Sequence, residues 1–154
     1  MKYIGALIFA LCLSAFGFSK AKFLFEGVAS CEKINSFLAF LQERISKRRQ
    51  PVLEIFKDFS SESEFANALA LGKTFEDAIN ISKLSLDDES IKKLITFGNK
   101  LGEGTLEQEL ASCRDISDFF EKKQKDLFEN YQKKAPLYRC LGLISGLGIL
   151  IIIA

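Results

Sequence analysis

The sequence predicts an all-α protein, an antiparallel bundle of about six helices flanked by N- and C-terminal transmembrane helices. Apolar residues in the middle of the chain recur every three or four positions, as on one face of a helix, and no segment alternates like a strand. Glycine, proline and helix-capping residues divide this middle into segments. At the two ends, the stretches from Tyr3 to Ser19 and from Cys140 to Ala154 contain no charged residue.

The distribution of charge predicts three domains and their orientation. All 20 Asp and Glu residues, and all 21 Lys and Arg residues except Lys2, lie between the two uncharged ends. Cations beside a transmembrane helix stay on the cytoplasmic side. We therefore predict transmembrane helices at residues 3–19 and 137–154, a cytoplasmic bundle at residues 20–136, and a two-pass protein of the cell membrane. The predicted membrane-interface residues are Lys20, Lys22, Tyr138 and Arg139.

The two uncharged ends are short for membrane helices. Their 17 and 15 residues reach roughly 25 and 22 Å at about 1.5 Å per residue, less than a hydrocarbon core of roughly 30 Å. Helix association is one response to such a mismatch, and small residues let helices approach closely in lipid. Small residues four positions apart predict that the two helices pair, although short apolar segments also contain them by chance. They are Ala6, Ala10 and Ser14 on the first helix, and Gly142 and Gly146 on the second.

A cleaved signal peptide is the alternative interpretation of the first segment. A lysine followed by an apolar run is typical of such peptides, and either Ala15-x-Gly17 or Ser19-x-Ala21 would serve as the cleavage site. The chain would then be a secreted or surface-anchored helical binding domain. The mass of the intact protein distinguishes the two interpretations.

The first two helices of the middle are predicted from their apolar faces. The first should end near the basic run at residues 47–49, and its face is Leu24, Cys31, Ile34, Leu38, Leu41 and Ile45. Pro51 suits the first turn of the second helix. The inward residues of that helix are Val52, Ile55, Phe56 and Phe59.

Capping residues and glycines delimit the third and fourth helices. Ser61 and Glu64 have capping-box spacing at the start of the third helix, and Gly72 ends it. Thr74 is the predicted cap of the fourth helix, whose inward residues are Phe75, Ala78 and Ile79.

The fifth and sixth helices follow the same rules. The fifth begins with a cap among residues 85–88 and stops at Gly102. Thr105 and Gln108 form another capping box, which opens a helix of about 30 residues that reaches Pro136. This proline should kink the helix where it enters the membrane.

The composition excludes most catalytic chemistry. The chain has no histidine, the commonest general base and metal ligand. Its cysteines, Cys12, Cys31, Cys113 and Cys140, lack metal-binding spacing, and we expect free, buried thiols. No glycine-rich loop follows a strand, and the neutral middle lacks the basic footprint of a nucleic-acid binder. We predict a non-enzymatic protein without a cofactor, a metal, a nucleic-acid partner or a small-molecule substrate.

The middle of the chain contains three clusters of charged residues. The run Asp87-Asp88-Glu89 lies at a predicted helix N-terminus, where negative charge is stabilising. Lys122, Lys123 and Lys125 are predicted to lie on a solvated helix face. The remaining cluster is either another solvated face or a contact with a partner or anionic lipid. It comprises Glu43, Arg44, Lys47, Arg48 and Arg49.

Three stretches resemble the stage III sporulation protein AB family. The stretch Leu137-Tyr138-Arg139-Cys140-Leu141-Gly142 resembles that family's Tyr-Arg-Ser-Leu-Gly segment, and a glycine-rich apolar tail follows it. Phe97-Gly98-x-x-Leu101-Gly102, with Gln108, resembles the family's Leu-Gly-x-x-Leu-Gly segment. The third stretch is Gln42-Glu43-Arg44-Ile45 with Pro51-Val52-Leu53-Glu54. The chain departs from the family pattern at Lys47-Arg48, where a glycine is usual, at Thr105, which replaces an aspartate, and at Cys140, which replaces a serine.

This resemblance implies a scaffold rather than an enzyme. It implies a membrane platform in the channel complex between mother cell and forespore, located in the mother-cell membrane around the forespore. The family's helical domain is similar to the platform proteins of type II secretion and type IV pilus systems. The implied partners are other stage III sporulation operon proteins, including a secretion-type ATPase, and membrane lipids. Glu43, Gly98, Gly102 and Arg139 are structural or interface candidates on the same basis.

Overall fold

The fold is all-α. The computed structural model describes the backbone of residues 2–48 and 51–153, and the side chains in these ranges except those of residues 2–7, 9, 10, 13, 48, 146, 147 and 149–153. This part of the chain forms six helices and no strand, so the predicted helical class and helix number are confirmed. The helices are α1 (Lys2–Arg48), α2 (Val52–Phe59), α3 (Glu64–Ala70), α4 (Phe75–Ile81), α5 (Asp88–Lys100) and α6 (Leu106–Ile153).

The first and last helices are longer than the soluble segments predicted for them. α1 begins at Lys2, so the N-terminal apolar segment and the first predicted helix are continuous. α6 likewise continues through Pro136 to Ile153. Judged on the side chains that are described, none of the helices has an apolar stretch of the length that a bilayer crossing requires. The flanking transmembrane helices remain predictions.

Contacts within the chain define two compact units. The end unit comprises Met1–Val28 and Lys125–Ala154, and the central unit comprises Ala29–Gln124. The end unit therefore brings together the two terminal portions of the chain, which are far apart in sequence. The predicted three-domain division remains a prediction.

Phenylalanine rings form much of the core of the central unit. The predicted α1 face is buried at Cys31, Ile34, Leu38, Leu41 and Ile45. Phe37, which widens this face, lies with its ring centroid 5.3 Å from Phe65 in an edge-to-face arrangement. Phe75 makes a similar edge-on contact with Phe65, at 5.6 Å. Such pairs add about 0.5–1.5 kcal/mol each to the gain from burying apolar area.

Side-chain caps are present at the starts of α4 and α6. Thr74 caps α4 by accepting a hydrogen bond from the Asp77 amide at 3.1 Å, as predicted. The Thr105–Gln108 capping box is also confirmed, with bonds of 3.0 and 3.4 Å. The prediction for α3 is wrong, since its N-cap is Ser63 instead of Ser61. Pro51 is the N-cap of α2 and lies just before the first turn.

Two helices end in a left-handed residue. Gly72 (φ 77°) follows α3, where the Lys73 amide bonds the Ala68 carbonyl and the Gly72 amide bonds that of Leu69. This pattern is a Schellman motif. The same pattern ends α4, but the left-handed position there is occupied by Lys83 (φ 49°).

Candidate interaction surfaces

The end unit contains a close contact between the backbones of α1 and α6. The hydroxyl of Ser14 donates a hydrogen bond to the Gly142 carbonyl at 3.2 Å. A Cβ atom on Gly17 would lie 2.5 Å from the Tyr138 carbonyl oxygen and 3.2 Å from the Gly142 Cα. Ala21 on α1 and Ala135 on α6 are also small and buried, each 2% exposed. Small side chains are therefore required where the helices meet.

The structure brings together some of the predicted helix-packing residues. Ser14 and Gly142 meet directly, whereas the side chains of Ala6, Ala10 and Gly146 lie outside the described residues. The sequence interpretation missed Gly17 and treated it only as a cleavage-site residue. Its spacing from Ser14 and Ala21, three and four residues, is a helix-face signal that identifies it.

The outer surface of the end unit carries large apolar side chains. They are well exposed along α1 and again along α6, in contrast to the small residues at the helix contact. The exposed side chains are Ile8, Leu11, Phe16, Phe18, Phe23 and Phe25 on α1, and Phe128, Leu137, Leu141, Leu143 and Ile144 on α6. Packing in this unit therefore has small residues inside and large apolar residues outside.

Two of the predicted membrane-interface residues, Lys20 and Arg139, contact aromatic side chains. Lys20 Nζ is 5.6 Å from the centroid of the Phe16 ring, and Lys22 forms an exposed ion pair with Glu26 at 3.8 Å. Arg139 donates a hydrogen bond to the Tyr131 hydroxyl at 3.4 Å. Tyr138 is 38% exposed.

The basic cluster at the end of α1 is partly neutralised. Arg44 pairs with Asp58 at 3.7 Å, and its guanidinium lies over the Phe40 ring at 4.9 Å. Lys47 pairs with Glu43 at 2.7 Å. Arg49 and the side chain of Arg48 lie outside the described residues. The described cations of this cluster thus form intramolecular contacts.

An ion pair in the central unit was missed by the sequence interpretation. Lys123 Nζ donates a hydrogen bond to Asp87 Oδ2 at 2.7 Å, and the Ser90 hydroxyl donates one to Asp87 Oδ1. Lys122 and Lys125 are exposed as predicted, whereas the Lys123 side chain is only 24% exposed and contacts Asp87. Burial by itself would raise the pKa of Asp87, but the hydrogen bonds from Lys123 and Ser90 and the charge of Lys123 outweigh burial and lower it.

Two of the four cysteines are buried. Burial and the Asp87 charge raise the pKa of the Cys31 thiol to about 11, and burial with the Glu109 charge raises the pKa of Cys113 to about 11. These two thiols are protonated and unreactive at neutral pH. Cys12 and Cys140 are exposed, so the prediction of buried thiols is wrong for them. Among the described side chains, no group of His, Cys, Asp and Glu could hold a metal ion.

Gly98 allows α4 and α5 to pack closely. A Cβ atom at this position would overlap the ring of Phe75. That ring is buried and lies edge-on to Phe97, with a centroid distance of 6.3 Å. Gly98, one of the interface candidates, therefore has a direct role in the core of the central unit.

These features define an all-α protein whose terminal helices pair through small residues. A comparison with protein families matched residues 2–154 to stage III sporulation protein AB. The chain belongs to the stage III sporulation protein AB family, and its role is therefore related to sporulation. Comparisons with curated proteins and with solved structures found no match.

Proposed function

We propose that the protein is a non-enzymatic, membrane-seated scaffold of the stage III sporulation assembly. In this proposal the end unit lies in the mother-cell membrane around the forespore, and the central unit faces the cytoplasm. The central unit binds other sporulation proteins, including a secretion-type ATPase, within the channel complex between the two cells. The family membership supports the sporulation role, and the similarity that the resemblance implies between the family's helical domain and secretion platforms is the basis for proposing the ATPase.

One observation carries the proposal that the end unit lies in a membrane. Its interior contains small residues, and its surface carries large apolar side chains. Gly17, Ala21 and Ala135 occupy its interior, while Phe16, at 63%, and Ile144, at 66%, are exposed. In water, large apolar side chains on a surface carry a free-energy cost, and such patches mark contact sites. In lipid they are solvated by acyl chains, and small residues hold the helices together.

The charges at the ends of the apolar segments support the proposed direction. Lys20, Lys22 and Arg139 lie on the central side of the two segments, and no charged residue follows Arg139. By the positive-inside rule, this distribution supports a cytoplasmic central unit.

Accessibility of an introduced thiol tests this topology. Cys31 and Cys113 are too deeply buried to report it. We would therefore place a cysteine at the exposed position Lys73 in a full chain carrying Cys12→Ser and Cys140→Ser. A membrane-impermeant maleimide added to intact cells should label it only after the membrane is permeabilised.

The same preparation tests the alternative interpretation. Labelling in intact cells, or an intact mass that lacks residues up to about position 17–21, would show a secreted or surface-anchored domain with a cleaved leader. Loss of sporulation on deletion of the gene, restored by the full chain, is the expected test of the sporulation role. Normal sporulation without the protein would overturn the scaffold proposal.

A further inference from the structure

A groove with an apolar floor lies in the central unit between α5 and the start of α6. Its volume is about 770 Å³. Phe97 and Ile116 form part of its floor, together with Leu101 and the partly exposed ring of Phe119. Lys93 lies 3.7 Å from the centroid of the Phe119 ring and joins the two walls at this point.

The two walls of the groove carry opposite charge. The α5 wall contributes Lys92 and Lys100, the α6 wall contributes Glu109 and Asp115, and Glu103 lies in the loop that joins the two helices. Among the described residues, none of these five side chains has an ion-pair partner. By contrast, the neighbouring Lys93 pairs with Glu89 at 3.3 Å. The charged side chains along both edges are therefore available to form ion pairs with a ligand.

The dimensions of the groove match a short helix. Its α5 wall extends from Lys92 to Leu101 and its α6 wall from Gln108 to Phe119, which correspond to roughly 14 and 16 Å at about 1.5 Å per residue. These lengths equal about three helical turns. A helix in such a groove buries its apolar face on the floor and presents its two flanks to the edges.

We propose that this groove binds an amphipathic helix of a partner protein, about three turns long, with acidic residues along one flank and basic residues along the other. The acidic flank lies against Lys92 and Lys100, and the basic flank lies against Glu109 and Asp115. Reversing the helix in the groove exchanges its flanks, so the charge pattern also determines the direction in which the helix lies. This assignment rests on the proposed scaffold function and locates its partner surface.

Photocrosslinking in sporulating cells of the native host tests the assignment. A photoreactive phenylalanine analogue replaces Thr96, an exposed residue of the groove, in the full chain. The captured segment, mapped by mass spectrometry, should be a helix with oppositely charged flanks. The analogue at Asp118, which is exposed on α6 outside the groove, should capture no such segment.

Charge reversal makes the test specific. The double variant K92E/K100E should lower the crosslinking yield about tenfold, because it places like charges opposite the acidic flank. The matched control K73E/K122E, at exposed positions outside the groove, should leave the yield unchanged. Replacing the acidic flank of the captured segment by lysines should then restore crosslinking to K92E/K100E.

The outcomes distinguish this assignment from the scaffold function. Capture of lipid, of a second copy of this chain or of a segment without oppositely charged flanks would overturn the groove assignment, as would a yield insensitive to K92E/K100E. Circular dichroism verifies that the variants fold. Failure of the scaffold function is detected separately, by normal sporulation after gene deletion or by labelling of position 73 in intact cells.

Discussion

Lys83 occupies a backbone conformation that ordinarily selects glycine. Its φ of 49° lies in the left-handed region, and it ends α4 in the position that Gly72 occupies after α3. A side chain in this region costs roughly 1–2 kcal/mol, part of which is offset because a non-glycine residue has less entropy in the unfolded chain. The ends of α3 and α4 therefore have the same backbone geometry, with glycine in the left-handed position of one and lysine in that of the other.

We expect Lys83→Gly to stabilise the protein by about 0.5–1 kcal/mol. Gly72→Ala should destabilise it by about 1 kcal/mol, and this cost would be strain alone because no atom lies within 4 Å of the added Cβ. Urea unfolding of the full chain, followed by circular dichroism, measures both changes. An equal loss of stability in the two variants would contradict this account of Lys83.

The Asp87–Lys123 pair makes part of the stability dependent on pH. The pKa of Asp87 in the folded protein is lowered: burial acts to raise it, but the hydrogen bonds and charge of its partners prevail. A lowered folded-state pKa means that the stabilisation is present above the unfolded-state pKa, near 3.8, and is lost as the pH falls through the folded-state value.

We expect Lys123→Met to lower the free energy of unfolding by about 0.5–1 kcal/mol at pH 7, the usual range for a partly exposed pair. The difference from the unmodified protein should shrink as the pH falls below about 5. Unfolding curves at a series of pH values measure it, with the exposed Lys122→Met as the control. A difference that is constant down to pH 2 would mean that Lys123 acts through its aliphatic chain instead of its charge.

At Gly98, packing against the neighbouring helix α4 opposes the residue type that helix propensity favours. Alanine is about 1 kcal/mol more favourable than glycine in an isolated helix. In α5, however, the added Cβ would overlap the Phe75 ring, which is held between Phe56, Phe65 and Phe97. Contact with the neighbouring helix therefore opposes helix propensity at this position.

We expect Gly98→Ala to destabilise the protein by about 1–3 kcal/mol, because the overpacked ring cannot shift freely. Asn99→Ala, at the next and exposed position of the same helix, should be neutral or slightly stabilising. Both are measured by urea unfolding of the full chain. Stabilisation by Gly98→Ala would show that α4 and α5 separate easily.

The pairing of the two chain ends leaves no room for a side chain at Gly17. Valine at position 17 would place its Cβ against the backbone of Tyr138 and Gly142, and a backbone cannot yield as a flexible side chain does. We expect Gly17→Val to lower the melting temperature of the detergent-solubilised full chain by about 5 °C. Ala15→Val, at an exposed position of the same helix, is the control and should have little effect. Equal melting temperatures for the two variants would show that this contact contributes nothing to stability.

Helix caps were predictable because they depend on residues within a few positions. Thr74, Thr105 and Gln108 form the bonds that their spacing indicates, and the α1 stripe from Cys31 to Ile45 is buried as its period predicts. The helical class, the number of helices and the family all follow from such local patterns. The error at Ser61 is also local, since α3 begins two residues later than predicted, with Ser63 at the N-cap position.

The long-range contacts were decided only by the tertiary structure. Asp87 and Lys123 lie 36 residues apart, and no periodicity relates these positions. The small-residue faces predicted that the terminal helices pair, but the register that brings Ser14 to Gly142, 128 residues away, comes from the fold. The contact of Gly98 with Phe75 and the placement of the two charged walls of the groove also depend on how the helices pack. A sequence pattern shows which face of a helix is apolar or small, but the partner of that face depends on how the helices pack against one another.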